Sequence, residues 1–184
     1  MGNLELTTAC EFLNQGKLVA YPTEAVWGFG CDPYIEEAVH RILEIKQRPV
    51  GKGLILVAAG LTQIAELTKD LSVDQLVLLE STWPGPTTWL IPDPKQIFPR
   101  WVKGDHESIA IRVSGHPLVN ALCSEFGKPI VSTSANNTGE VEIRSRLILE
   151  EQFADKIDYI MDGELGEQDS PSKIRDLVTG NILR

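Results

Sequence analysis

The chain has 184 residues, a formal net charge of -9, 42% hydrophobic and 23% charged residues. That is one domain's length with enough apolar material for a core, and an acidic total that argues against a surface built to wrap nucleic acid. No apolar run is long enough to span a bilayer, and no basic cluster precedes an apolar core at the N-terminus, so a cytoplasmic protein without a secretory leader is expected.

In chain order, residues 7–14 read as a helix with Ala9, Cys10, Phe12 and Leu13 along one side. Residues 17–21 read as a short strand ending at Pro22. Residues 35–46 carry the clearest amphipathic helix, with Ile35, Ala38, Val39, Ile42, Leu43 and Ile45 on its apolar face. Residues 54–58 form an apolar run between Gly53 and Gly60, as a buried strand does. Residues 74–81 read as a helix stopped by Trp83-Pro84-Gly85-Pro86, and 87–91 as a strand. Residues 92–103, with three prolines, read as loop. Residues 108–113 alternate as a strand, Ile109, Ile111 and Val113 on one face and Arg112 on the other. Residues 117–126 read as a helix opened by Pro117 and closed by Gly127. A short buried strand is expected at 129–132, a helix at 145–154, a strand at 157–161, and a terminal hairpin from 172–177 and 181–183 around Thr179-Gly180. The pattern is that of one mixed α/β domain.

Several chemistries lack their motifs. Each Gly-Lys pair is followed by Leu18, Gly53 or Pro129, so no Walker A loop exists. Gly28-Phe29-Gly30 starts like a dinucleotide fingerprint, but Pro33 stands where its third glycine belongs. There is no GxSxG elbow and no HExxH helix. His40, His106 and His116 have no ligand spacing, so no protein-held metal is expected. Cys10, Cys31 and Cys123 are scattered and read as buried small hydrophobes.

Three polar constellations remain. In Tyr21-Pro22-Thr23-Glu24, a strand runs into Pro22 and the chain loops on through Gly28 and Gly30. This is either a ligand-facing strand end or an ordinary turn with Trp27 and Phe29 in the core. Lys46-Gln47-Arg48-Pro49-Val50-Gly51-Lys52 places three cations at a helix C-terminus. They either complement the helix dipole or, on a bendable loop, bind polyphosphate. Ser132-Thr133-Ser134-Ala135-Asn136 crowds hydroxyls and an amide after a buried strand, either capping the next segment or bonding a ligand. Arg112 can pair within the protein or clamp a carboxylate.

Taken in order, Tyr21-Pro22-Thr23-Glu24, Lys46-Gln47-Arg48-Pro49, Trp83-Pro84-Gly85-Pro86, Ala110-Ile111-Arg112-Val113, His116-Pro117 and Ser132-Thr133-Ser134-Ala135-Asn136 resemble the YrdC/Sua5 (TsaC) family of threonylcarbamoyl-adenylate synthases. Pro171-Ser172-Lys173-Ile174 is similar to the family's Ser-Thr-Ile stretch, with Lys173 in place of Thr. The resemblance implies a single YrdC-like domain over residues 1–184, of the short type. Its fold would be α/β (α+β-like), a twisted mixed β-sheet with flanking helices and a large open cavity.

It also implies a nucleotidyltransferase that joins L-threonine, bicarbonate and ATP into threonylcarbamoyl-adenylate, releasing pyrophosphate, for a tRNA modification. Thr23, Arg112 and Ser172 would hold threonine. Lys46 and Arg48 would be the catalytic cations, and Lys52, Ser132, Ser134 and Asn136 would join them in facing ATP. Mg2+ would travel with ATP, and transferase proteins downstream would take the product. An RNA-binding maturation factor is the alternative from another class, with tRNA or other RNA as its partner. A Ser–Lys acyl-transfer enzyme using Ser132 or Ser134 with Lys46 is a third.

Overall fold

Period-two alternation along short buried strands sorts the side chains of this chain into two apolar layers, one on each face of a sheet. The computed structural model describes residues 3–183. Met1, Gly2 and Arg184, the ends of the expected single domain, lie outside the described residues. The helices are α1 (Asn3–Asn14), α2 (Glu36–Ile45), α3 (Ala65–Thr68), α4 (Val73–Thr82), α5 (Arg100–Lys103), α6 (Pro117–Phe126) and α7 (Arg146–Phe153). The strands are β1 (Val19–Pro22), β2 (Trp27–Gly30), β3 (Ile55–Ala58), β4 (Thr87–Pro92), β5 (Ser108–Val113), β6 (Ile130–Ser134), β7 (Tyr159–Ile160) and β8 (Lys173–Asp176).

Among the described residues, the strands form one eight-stranded mixed sheet in the order β7-β1-β2-β6-β3-β5-β4-β8. β3–β5, β4–β8 and β1–β7 pair parallel, and the remaining neighbours pair antiparallel. Val19, Tyr21, Val57 and Ile130 project into a layer with Ala9 and Leu13 of α1 and Leu118 and Leu122 of α6. Their neighbours Ala20, Leu56 and Val131, with Phe29, Ile109 and Ile111, enter the larger layer with Ile42 of α2 and Phe153 of α7. Each buried Leu, Ile or Phe contributes about 1.5–3 kcal/mol. Cys10, Cys31 and Cys123 are buried free thiols in these layers. Among the described residues, no helix is long and apolar enough to cross a membrane.

Local rules explain the helix ends. Ser72 and Gln75 form a reciprocal capping box at α4. Pro117 opens α6, and Gly127 closes it in the left-handed region at φ 80°, donating its N–H to Cys123 O at 3.0 Å.

Four expectations need correction. The segment read as a loop after Pro22 turns at once into β2, pairing with β1 on one side and β6 on the other. Gly30 sits there because the Tyr21 ring lies across the strand. A Cβ on Gly30 would stand 2.7 Å from Tyr21 Cε1 and 2.9 Å from Val131 O. Gly30→Ala is therefore expected to lower stability by about 1–3 kcal/mol, read from denaturant midpoints, because neither a packed ring nor a sheet carbonyl yields cheaply. Second, the strand read as ending at Ser132 runs on to Ser134, so Thr133 and Ser134 lie within β6 rather than after it.

Third, the proline-rich stretch read as loop contains α5. Buried Asp93 organises it, accepting from the N–H groups of Ile97 at 2.8 Å and Phe98 at 3.1 Å. Fourth, the terminal hairpin is reduced to a single antiparallel bridge, Arg175 with Ile182. β8 spends its length pairing parallel with β4. The one-turn helices at residues 61–68 were not legible, because stretches this short carry no full period.

Candidate active site

Register puts Ile55, Val57, Ile130, Ser132, Ser134, Ala110 and Arg112 on one face of the sheet. Val57 and Ile130 are covered by α6. Further along the same face the side chains become small or polar, and Ile55, Ser132, Ser134 and Ala110 line a cavity of about 610 Å³. That is the size of a small-molecule site. Thr23, Arg112 and Ser172 line it as buried groups. Lys46, Ser132 and Asn136 line it buried as well, Ser134 and Arg48 are half-buried, and Lys52 is exposed at its rim. All nine residues singled out in the sequence thus meet in one cavity.

Lys46 closes α2 and is only 3% exposed. Its ammonium donates to Ser134 O, to Asn136 O at 2.8 Å and to Asn136 Oδ1 at 2.9 Å. Asn136 Oδ1 also accepts from Ser134 Oγ at 2.7 Å, and Asn136 Nδ2 donates to Glu140 O at 2.8 Å. Thr138 donates its N–H and hydroxyl to Lys46 O at 3.0 and 2.7 Å. These bonds tie the end of α2 to the end of β6. Burial, reinforced by the Arg48 charge, brings the Lys46 pKa down to about 8. Lys46 meets Ser134 at its carbonyl and not at its hydroxyl, which is not the arrangement of a Ser–Lys acyl-transfer pair.

The loop after Lys46 folds back on itself. Arg48 Nε donates to Gly53 O at 3.0 Å and its Nη2 to Lys52 O at 3.3 Å. The loop leans on the end of α5. Leu54 N–H donates to Val102 O at 2.8 Å and Asp105 N–H to Gly51 O at 3.1 Å, while Gly53 and Gly104 have positive φ where their backbones touch. That contact also brings Lys103 to the cavity wall. Its ammonium donates to Asp93 O at 3.3 Å and lies 3.7 Å from Asp93 Oδ2.

The turn between β1 and β2 is closed by Thr23, whose N–H and hydroxyl both donate to Val26 O, at 3.1 and 2.7 Å. Glu24 comes next, 6% exposed, with Oε2 3.0 Å from Arg112 Nη1. Glu24 Oε1 accepts from Ser114 Oγ at 2.7 Å and Gly115 N–H at 3.1 Å. Burial alone would raise this carboxyl's pKa. The Arg112 guanidinium, the Ser114 hydroxyl and backbone N–H groups outweigh it, and the pKa lies below the usual carboxylate value. Ser172 Oγ shares a hydrogen bond of 2.8 Å with Thr88 Oγ1.

Glu24, Lys103 and Thr88 were not singled out in the sequence. Glu24 stood inside a motif already under discussion, and an acid two residues beyond a strand was its available signal. Lys103 sat in a segment read as loop, and Thr88 carried no signal. Among the described residues, no three His, Cys, Asp or Glu side chains cluster as a metal cage would need.

The family profile for Sua5, YciO and YrdC proteins, described as "Telomere recombination", matches residues 11–184. The threonylcarbamoyl-AMP synthase of Pseudomonas aeruginosa is 51% identical over 176 residues, covering 96% of this chain and 94% of that protein. The enzyme of the same name from Xanthomonas campestris pv. campestris is 50% identical over 182 residues, covering 98% and 97%. Among solved structures, P. abyssi Sua5 complexed with L-threonine superposes with a TM-score of 0.91 at 33% identity. The match covers 100% of this chain and 54% of that one, so the present chain spans about half its length. E. coli YciO superposes with a TM-score of 0.85 at 25% identity, covering 97% and 87%. With a profile match from residue 11 to 184 and relatives half identical over nearly its whole length, this chain belongs to the Sua5/YciO/YrdC family.

Proposed function

We propose that this chain uses ATP to convert L-threonine and bicarbonate into L-threonylcarbamoyl-AMP, releasing pyrophosphate, and so supplies the N6-threonylcarbamoyladenosine modification of tRNA. The observation that carries the reading is the gradient within one cavity. Buried Arg112, Thr23 and Ser172 line it together with buried Lys46, and from Lys46 the cationic segment runs through half-buried Arg48 to exposed Lys52. Such a cavity suits a small amino acid inside and a polyphosphate toward solvent. Full-length relatives named for this product, and a threonine complex of a similar structure, support the same assignment. Residues 1–184 would act as a single domain in the cytoplasm, where tRNA and the transferase that consumes the product reside.

The chemistry follows from the placement. Bicarbonate parts into CO2 and hydroxide; the threonine amine attacks the CO2 carbon, an N–C bond forms as one C–O π bond opens, and the proton shed by nitrogen joins the hydroxide as water, leaving a carbamate. A carbamate oxygen then attacks the α-phosphorus of ATP. An O–P bond forms, and the bond to the bridging oxygen of pyrophosphate breaks. No protein nucleophile is required; the protein aligns two anions and offsets the charge that builds on phosphate. Arg112 would pair with the threonine carboxylate, assisted by Thr23 and Ser172. Ser132, Ser134 and Asn136 would border the carbamate and α-phosphate. Arg48 and Lys52 would bind the departing pyrophosphate, and Lys46 would hold this wall in shape while adding its charge. Mg2+ would arrive as the ATP complex, held by phosphate and water oxygens.

Pyrophosphate release by the purified protein tests the reading. Release should require ATP, threonine and bicarbonate together. Serine should be poorer by roughly 10–200-fold, the discrimination one methyl group allows. No release under any combination would overturn the assignment, and salt-sensitive RNA binding would then become the activity to measure.

A pH profile checks the place of Lys46. Its charged form is the useful one, and its pKa is lowered to about 8. Activity is expected to fall as pH rises through about 8. Folding stability should move the other way. Between about 8 and the ordinary lysine value, the unfolded chain retains a proton that the native state has lost, so stability rises with pH in that window. Opposite slopes of activity and melting temperature above pH 8 are the expected result.

A further inference from the structure

We infer that Glu24 is a positioning residue that holds Arg112 in its ligand-binding orientation, an inference that rests on the threonine assignment above and adds a residue to it. β1 and β5 are separated in the sheet by β2, β6 and β3, yet the turn after β1 carries a carboxylate to within 3.0 Å of Arg112 Nη1. The carboxylate is itself over-determined. Ser114 Oγ and Gly115 N–H bind its other oxygen, and the main chain on either side is pinned. Gly166 N–H donates to Thr23 O and Gln168 N–H to Glu24 O, both at 2.9 Å. Gly166 fits there because a Cβ would stand 2.8 Å from Glu24 O. A carboxylate fixed by so many partners makes a rigid counter-charge.

Arg112 needs one. It is the one charged side chain of β5, and its Nε is buried without a hydrogen-bond acceptor. Glu24 Oε2 likewise has no hydrogen bond, so it meets Nη1 as a buried charge and leaves the guanidinium donors unspent. Freed from Glu24, a planar fork on a flexible stem would lose its preset direction, and a two-pronged grip on a carboxylate depends on that direction. Glu24→Gln separates charge from shape. The amide oxygen can still accept from Ser114 and Gly115, but its NH2 group then faces the N–H groups of Arg112, donor against donor.

The test uses ligand-induced rises in melting temperature, which require no turnover. Threonine and ATP are titrated separately into the full chain and into Glu24→Gln, Ser114→Ala, Arg112→Lys and the double variant Glu24→Gln/Arg112→Lys. Glu24→Gln is expected to weaken threonine binding by about 10–100-fold, the loss of one charge-assisted contact, while ATP affinity stays within about twofold. The double variant should bind threonine no more weakly than Arg112→Lys, because Glu24 acts through Arg112. Unchanged threonine affinity in Glu24→Gln, an equal loss for both ligands, or a further loss in the double variant would overturn the inference. If Glu24→Gln does not fold, Ser114→Ala decides. It removes one donor to Glu24, so weaker threonine binding with unchanged ATP binding is expected, and unchanged threonine binding overturns the inference. A wild-type chain that does not respond to threonine would instead sink the functional assignment.

Discussion

Lys46→Met is expected to lower kcat/KM for pyrophosphate release by about 10³-fold and to reduce stability as well. The first effect follows from the proposed role of Lys46, which would place its charge beside the reacting phosphate. The second comes from its bonds. Ser134 O, Asn136 O and Asn136 Oδ1 all take a hydrogen from the Lys46 ammonium, and methionine offers none. A buried acceptor left without a donor costs about 1–3 kcal/mol, although water entering the cavity will replace part of what is lost. For a chain of this size a net loss of that order is a fall of about 3–9 °C in melting temperature. The distinctive outcome is the combination. A Lys46 that acted only as a surface phosphate contact would leave the melting temperature unchanged, and one that acted only as a structural tie would leave activity largely intact in the folded fraction.

Arg48→Ala should separate what Lys46 combines. Arg48 lies on the loop beyond α2, is half-buried, and bonds to carbonyls of its own loop, Gly53 O and Lys52 O. It contributes little to the core, so a melting temperature within about 2 °C of wild type is expected. Removing one preorganised donor from a developing anion is expected to lower kcat/KM by about 10²–10³-fold. The loss should appear mainly in kcat and in ATP dependence, with threonine affinity preserved, because Arg112 and not Arg48 is assigned to the amino acid. A variant with near-full turnover would remove Arg48 from the reacting end, leaving its two carbonyl bonds as a loop clasp.

How much of this was legible in the chain depended on the range of the interaction concerned. The helices at residues 36–45 and 117–126 were legible because their signals are local: a 3.6-residue apolar stripe in one, proline at the start and glycine at the end in the other. β5 was legible at its full extent, because Ile109, Ile111 and Val113 alternate cleanly with Arg112. Of the nine cavity residues, Thr23, Arg112, Ser132, Ser134 and Asn136 stood out as polar groups on or just beyond apolar strands, and Lys46, Arg48 and Lys52 as cations after a helix, whereas Ser172 was marked only by the family resemblance. β2 was not legible, since Trp27-Gly28-Phe29-Gly30 looks like a flexible turn until the Tyr21 ring is laid across it. The direction of β8 was equally hidden. A pair of short runs around Thr179-Gly180 suggests a hairpin, and only the free edge of β4 shows that parallel pairing prevails.

The partners within the site belonged to the tertiary structure alone. Lys46 and Asn136 are ninety residues apart, as are Glu24 and Ser114, and no local pattern announces either bond. By itself, then, the sequence determined the α/β class, the soundest helices and the inventory of chemistry-bearing side chains. These depend on periodicity and residue type within a few positions. Only the folded sheet decided that Arg112 faces Glu24 and that Lys46 is locked against the end of β6, because those outcomes depend on strand order and register. Both are settled by burying two apolar layers at once, a condition on the whole chain and not on any segment of it.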